Sequence, residues 1–169
     1  MPSNEDLEDV MSVFRRVLAL AEDAELRYDI DKLAKACLRV HHKPIPDFFA
    51  PNNIELHGAI EFVDCCEEPV LVHYLGGRGR SGTIAVAYLM ASQGISYEEA
   101  LARIRNIDPG FFETGSKHKI LKLYDRSLRI VPRRLISKTV KIGKKYMFGR
   151  GVGHAAKLQL IINILWNRI

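Results

Sequence analysis

The residues best suited to chemistry lie together. Pro69-Val70-Leu71-Val72-His73 runs into Tyr74-Leu75-Gly76-Gly77-Arg78-Gly79-Arg80-Ser81-Gly82-Thr83, with three glycines in four positions before Arg80. The apolar run has the pattern of a buried, parallel-type strand, and the apolar stretch after Arg80 that of a helix. Glycines between them let successive backbone N–H groups of residues 75–80 turn inward, and the helix adds its positive N-terminal end. This is how a chain builds a cradle for phosphate, and Arg80 can close it with a two-pronged contact. The same pattern also describes a tight turn packing a helix on a strand.

Other reactive residue types read as structural. Cys65 and Cys66 precede the strand ending at His73, which places them about 15–20 Å from it, at the opposite end of the sheet. Cys37 stands near the start of its own strand. His41, His42 and His73 have no acid or thiol to complete a ligand set, so neither a metal nor a cofactor is expected. Gly149-Arg150-Gly151-Val152-Gly153 is a second glycine cluster. No strong strand precedes it, and it reads as a connector.

Elements must position these residues. Leu7, Val10, Met11, Phe14, Val17 and Leu18 recur at helical spacing, which predicts one helix from Ser3 to Leu20 with Ser3 as N-cap. Strands are expected at Glu25–Ile30, Cys37–His42 and Pro69–His73. Helices are expected from Asn53 to Val63, from Thr83 to Ser92, from a Ser96/Glu99 capping box to Asn106, from Ser116 to Leu128, and from His154 to Trp166. Strands alternating with helices indicate an α/β fold, a mainly parallel central sheet flanked by helices.

The loop resembles the signature of cysteine-dependent protein tyrosine and dual-specificity phosphatases: His-Cys, five residues, then Arg-Ser/Thr-Gly. His73, Gly77, Gly79, Arg80, Ser81, Gly82 and Thr83 match in register. Pro44-Ile45-Pro46-Asp47-Phe48 resembles the family's general-acid loop, with Asp47 placed 27 residues before Tyr74. Ile95–Arg105 resembles the helix after the catalytic core, and Pro109–Thr114 the Glu-Thr element. The likeness extends from about Asp29 to Ile130 and is closest to compact, archaeal-type members.

The resemblance implies a phosphate-binding loop of Leu75, Gly76, Gly77, Arg78, Gly79 and Arg80. Asp47 falls at the acid position, and Arg80 and Ser81 belong to the catalytic set. At the nucleophilic cysteine position stands Tyr74, whose phenol is little ionised at neutral pH. The family's water-positioning glutamine, four residues after the Glu113 equivalent, is here Lys117. Both departures point to a pseudophosphatase that keeps its cradle. The alternatives are an active phosphomonoester phosphatase using Tyr74 or water with Asp47 as acid, and a basic-tail protein that binds a polyanion. A phosphorylated protein or other phosphate ligand is the implied partner. A phosphate held by residues 75–80 requires the Tyr74 ring to point away; pointed inward, it plugs the loop. The reading leans slightly toward the open arrangement. The family's opening strand is expected to be missing, its edge left bare or covered by the segment after Pro132.

Length and charge bound the rest. With 169 residues, 47% hydrophobic and 27% charged, the chain holds one compact domain with a sizeable core. That domain is expected over residues 1–132, with a basic extension at 133–169. Residues 1–116 carry 11 Lys and Arg against 19 Asp and Glu, whereas residues 117–169 carry 14 against one. Such a tail either meets a polyanion through residues 133–157 or neutralises the acidic body, its own or a second copy's in a homo-oligomer. The apolar run Leu158–Trp166 is too short to span a bilayer. Three cysteines and an acidic, polar start fit a cytoplasmic protein without a signal peptide.

Overall fold

The computed structural model describes residues 2–35, 38–65, 69–76, 79–107, 109 and 114–130. Three parallel strands form the sheet among these residues: β1 (Arg16–Ala19) in the middle, β2 (Arg39–His42) on one side and β3 (Val70–His73) on the other. Arg16 lies level with Arg39 and Val70, and Ala19 with His42 and His73. The helices are α1 (Leu7–Val13), α2 (Ile30–Lys35), α3 (Asn53–Asp64), α4 (Arg80–Gln93), α5 (Tyr97–Ile107) and α6 (Gly115–Ile130). This is the α/β architecture expected from the sequence.

Strand alternation sorts the core into two layers. Val17 and Leu71 point to one face and pack with Val10, Phe14, Tyr28, Leu33 and Leu38. Leu18, Val70 and Val72 point to the other and pack beneath α3 and α4, against Leu56, Ile60, Ile84 and Ala87. α4 in turn packs on α3, α5 and α6. It ends at Gly94, whose φ of 66° is a left-handed cap that glycine adopts without strain.

Two expectations near the N-terminus fail. The helix read from Ser3 to Leu20 stops at Val13; Phe14 turns extended, and Arg16–Ala19 becomes the central strand. Apolar residues in sequence satisfy either period, and pairing on both sides decides for strand, because Val17, Leu18, Ala19 and Leu20 are all fully buried. Ser3 does not cap this helix; its hydroxyl donates to Asp6 at 2.9 Å. Nor is Glu25–Ile30 a strand. Asp23–Glu25 is a single tight helical turn in which Glu22 N–H donates to Glu25 Oε2, and α2 begins at Ile30.

The remaining elements fall where the sequence puts them, within a few residues. α3 is capped one residue early, by Asn52 in a reciprocal box with Glu55. Ser96 Oγ accepts Glu99 N–H at the start of α5. Cys65 is exposed at the end of α3, its Sγ 2.9 Å from the Arg16 guanidinium, at the opposite end of the sheet from His73 as expected. Cys37, Cys66, the Gly149–Gly153 cluster and the whole 133–169 extension, with its expected terminal helix, lie outside the described residues.

Candidate functional site

β3 delivers His73 and Tyr74 to the carboxyl end of the sheet, where ligand sites of parallel sheets form. His73 is fully buried, and its Nε2 lies 2.6 Å from the Tyr28 hydroxyl. Burial pushes the Tyr28 phenol up, so it keeps its proton at neutral pH. Burial pushes the His73 imidazole down to about 3. The unfolded chain therefore takes up a proton near pH 6.5 that the folded chain refuses. Stability is full above that pH and declines as pH falls toward 3. A loss of order 2 kcal/mol between pH 6.5 and 4.5 is expected in urea denaturation, and it should shrink in His73→Gln.

The Tyr74 side chain turns into the loop. Its hydroxyl accepts the Gly79 N–H at 2.5 Å, and its ring is 8% exposed. A methyl group on Gly76 would lie 3.1 Å from that hydroxyl, so a side chain there would crowd the phenol. At Gly79 a methyl would lie 3.2 Å from the Tyr74 hydroxyl and 2.6 Å from Lys117 Nζ. The open arrangement expected from sequence is not found: the ring points inward, because its hydroxyl takes the Gly79 N–H. Gly79 also anchors α4: its carbonyl accepts both the Thr83 N–H and the Thr83 hydroxyl.

Arg80 is 1% exposed, and its guanidinium carbon sits over the Tyr74 ring, 4.3 Å from its centroid. Its two terminal nitrogens grip both oxygens of Glu25 at 2.6 Å. Nη1 also donates to Ile45 O at 2.7 Å, and Nη2 reaches Asp47 Oδ1 at 3.3 Å. The bond to Arg80 holds the Glu25 carboxyl below its usual range. Arg80 Nε is buried and has no hydrogen-bond partner among the described residues.

Asp47 is half exposed at the mouth, accepting the Phe48 N–H at 2.9 Å while its own N–H donates to Glu22. Phe48 holds a left-handed φ of 64°, unusual for an aromatic residue, and the turn it makes leaves both Phe48 and Phe49 exposed.

The structure thus brings together Tyr74, Gly76, Gly79, Arg80 and Asp47. Ser81 is buried in the first turn of α4, and Leu75 is exposed. Gly77, Arg78 and Glu113 lie outside the described residues. Lys117, 4% exposed on α6, reaches the loop from 37 residues beyond Arg80. Sequence reading missed Glu25 and Tyr28. The Glu22/Glu25 spacing of a capping box was the one local signal that Glu25 lies in a turn. The histidines behave as structural groups: His42 bonds Ala21 O at 2.8 Å, and His41 stacks on Phe62. Among the described residues no cluster could hold a metal, and no helix is long and apolar enough to cross a membrane.

The family described as the dual specificity phosphatase catalytic domain matches residues 17–127. The dual specificity protein phosphatase Mpk3 of Drosophila melanogaster is 32% identical over 93 residues, covering 53% of this chain and 23% of that protein. Human dual specificity protein phosphatase 8 is 36% identical over 85 residues, 45% of this chain and 13% of that one. The chain spans under a quarter of the length of these curated relatives. Among solved structures, Tk-PTP in its active form superposes with a TM-score of 0.72 at 40% identity, over 75% of this chain and 88% of that one.

Proposed function

Because the chain belongs to the dual specificity phosphatase catalytic-domain family, we propose that it is a pseudophosphatase: a phosphate-loop scaffold with little or no turnover. The observation that carries this reading is the Tyr74 hydroxyl lodged in the loop on the Gly79 N–H, in the position the family gives to its thiol nucleophile. A thiolate attacks phosphorus directly; a phenol is a poorer nucleophile at neutral pH, and its ring occupies the space a phosphoryl group needs. Lys117 in place of the glutamine weakens the hydrolytic half-reaction as well. The loop of residues 75–80 keeps its glycines and Arg80, so the anion-binding machinery outlives the nucleophile. Partners are then phosphorylated proteins or other phosphate ligands, and the setting is cytoplasmic.

A p-nitrophenyl phosphate assay tests this. Wild-type turnover is expected to equal that of Arg80→Ala and of buffer. Turnover well above buffer that Arg80→Ala abolishes would overturn the reading.

One observation favours a second reading, an active phosphatase using Tyr74 or water. Asp47 stands half exposed beside Arg80, where a general acid would be needed. A phosphotyrosine trapped at Tyr74, found by mass spectrometry, would decide for it. The charge asymmetry supports a further role for residues 133–157 toward a polyanion or a second copy of the chain.

A further inference from the structure

The charge of Arg80 is largely committed. Glu25 takes both terminal nitrogens, Asp47 adds a second carboxylate, and the Ile45 carbonyl accepts as well. A loop relying on this guanidinium alone would offer an incoming dianion little net positive charge. Three donors nonetheless gather around the Tyr74 phenol. The Gly79 N–H is bonded to its hydroxyl, Arg80 packs on its ring with Nε buried and unpartnered among the described residues, and the Lys117 ammonium crowds Gly79 from α6.

We propose that Tyr74 is a displaceable gate over an oxyanion site made by the Gly79 N–H, Arg80 Nε and Lys117 Nζ. Lys117 supplies the charge that Glu25 has taken from Arg80. The ligand class is a tetrahedral dianion, the phosphoryl group of a monoester or inorganic phosphate. The inference rests on the phosphate-loop reading and adds two things to it: the gate and the lysine. Each has a physical basis. The phenol oxygen occupies a donor set suited to an anion, and a phosphoryl dianion gains more from such donors than a hydroxyl does. Lys117 is a long chain on α6, and its ammonium lies where a side chain on residue 79 would be, 2.6 Å from the position of a methyl there.

The experiment is a titration of the full chain with inorganic phosphate, followed by calorimetry and by the Gly79 amide resonance. Tyr74→Ala is expected to bind at least tenfold tighter than wild type, and Tyr74→Ala/Lys117→Gln to lose about tenfold of that gain. If wild type and Tyr74→Ala bind equally well, Tyr74 is no gate. If Tyr74→Ala gains affinity and Lys117→Gln leaves it unchanged, the lysine is not a ligand, while the phosphate-loop reading survives. If a folded Tyr74→Ala binds no phosphate at all, the phosphate-loop reading falls with the proposal. Should Tyr74→Ala not fold, Tyr74→Phe replaces it. That variant keeps the ring and frees the Gly79 N–H, and a several-fold gain is expected that Lys117→Gln reverses; no gain refutes the gate.

Discussion

Tyr74→Cys is expected to raise hydrolysis of p-nitrophenyl phosphate by ~10²-fold or more over wild type. A thiol at this position inherits the Gly79 N–H that now serves the phenol. It also stands at the N-terminus of α4, beside Arg80. Each of these favours the thiolate over the thiol. Removing the ring also vacates the loop. The gain should have a particular shape. On the proposed reading, in which Lys117 replaces the family's glutamine, the first half-reaction should be restored more fully than the second, so a burst of nitrophenol should precede slower turnover. Adding Lys117→Gln should raise the steady rate relative to the burst. Asp47→Asn in the cysteine background should slow the burst by ~10²-fold, because the leaving phenolate then lacks its proton donor. A folded but inert Tyr74→Cys would show that the pocket has departed from a phosphatase in more than its nucleophile.

The second large effect falls on stability. Glu25→Ala leaves a guanidinium that is 1% exposed without its two shortest hydrogen bonds. Removing one member of a buried, doubly bonded pair costs roughly 3–5 kcal/mol, because the remaining charge stays desolvated. A domain of this size has about 5–15 kcal/mol in all, so the urea midpoint should fall sharply. Asp47, at 3.3 Å and half exposed, can take over only part of the role. Arg80→Ala should cost less, since Glu25 can relax toward solvent, and a double-mutant cycle should return a coupling of more than ~1 kcal/mol. The sign with pH follows from the lowered Glu25 carboxyl. Its contribution is complete at neutral pH and lost as pH falls below about 4.5 through the depressed folded value. Equal stability of Glu25→Ala and wild type at pH 7 would refute this account of Arg80.

Much of this protein was legible one residue at a time. Three glycines in four positions between an apolar run and a helix announce a loop that can gather backbone N–H groups, whatever the rest of the chain does. The strand Val70–His73, the helices after Asn52 and Ser96, and the polar cap residues before them follow from local rules of period and capping, which need no distant partner. Tyr74 and Lys117 were visible as residues, though where their side chains point was not.

What tertiary structure alone decided is everything that depends on pairing across distance. Val17 to Leu20 could be helix or strand until β2 and β3 closed on both sides, since an apolar run is compatible with either period. The partner of Arg80 is Glu25, 55 residues away, and the partner of His73 is Tyr28, 45 residues away. No spacing rule reaches that far, because such contacts are set by how β1 and α2 pack, not by the chain between. Most consequential is the Tyr74 ring. Its identity at the loop is a property of the sequence. Its inward turn results from the competition of the Gly79 N–H, the face of Arg80 and the open space over Gly76 for one phenol, a competition that exists only once β3, α4 and α6 meet.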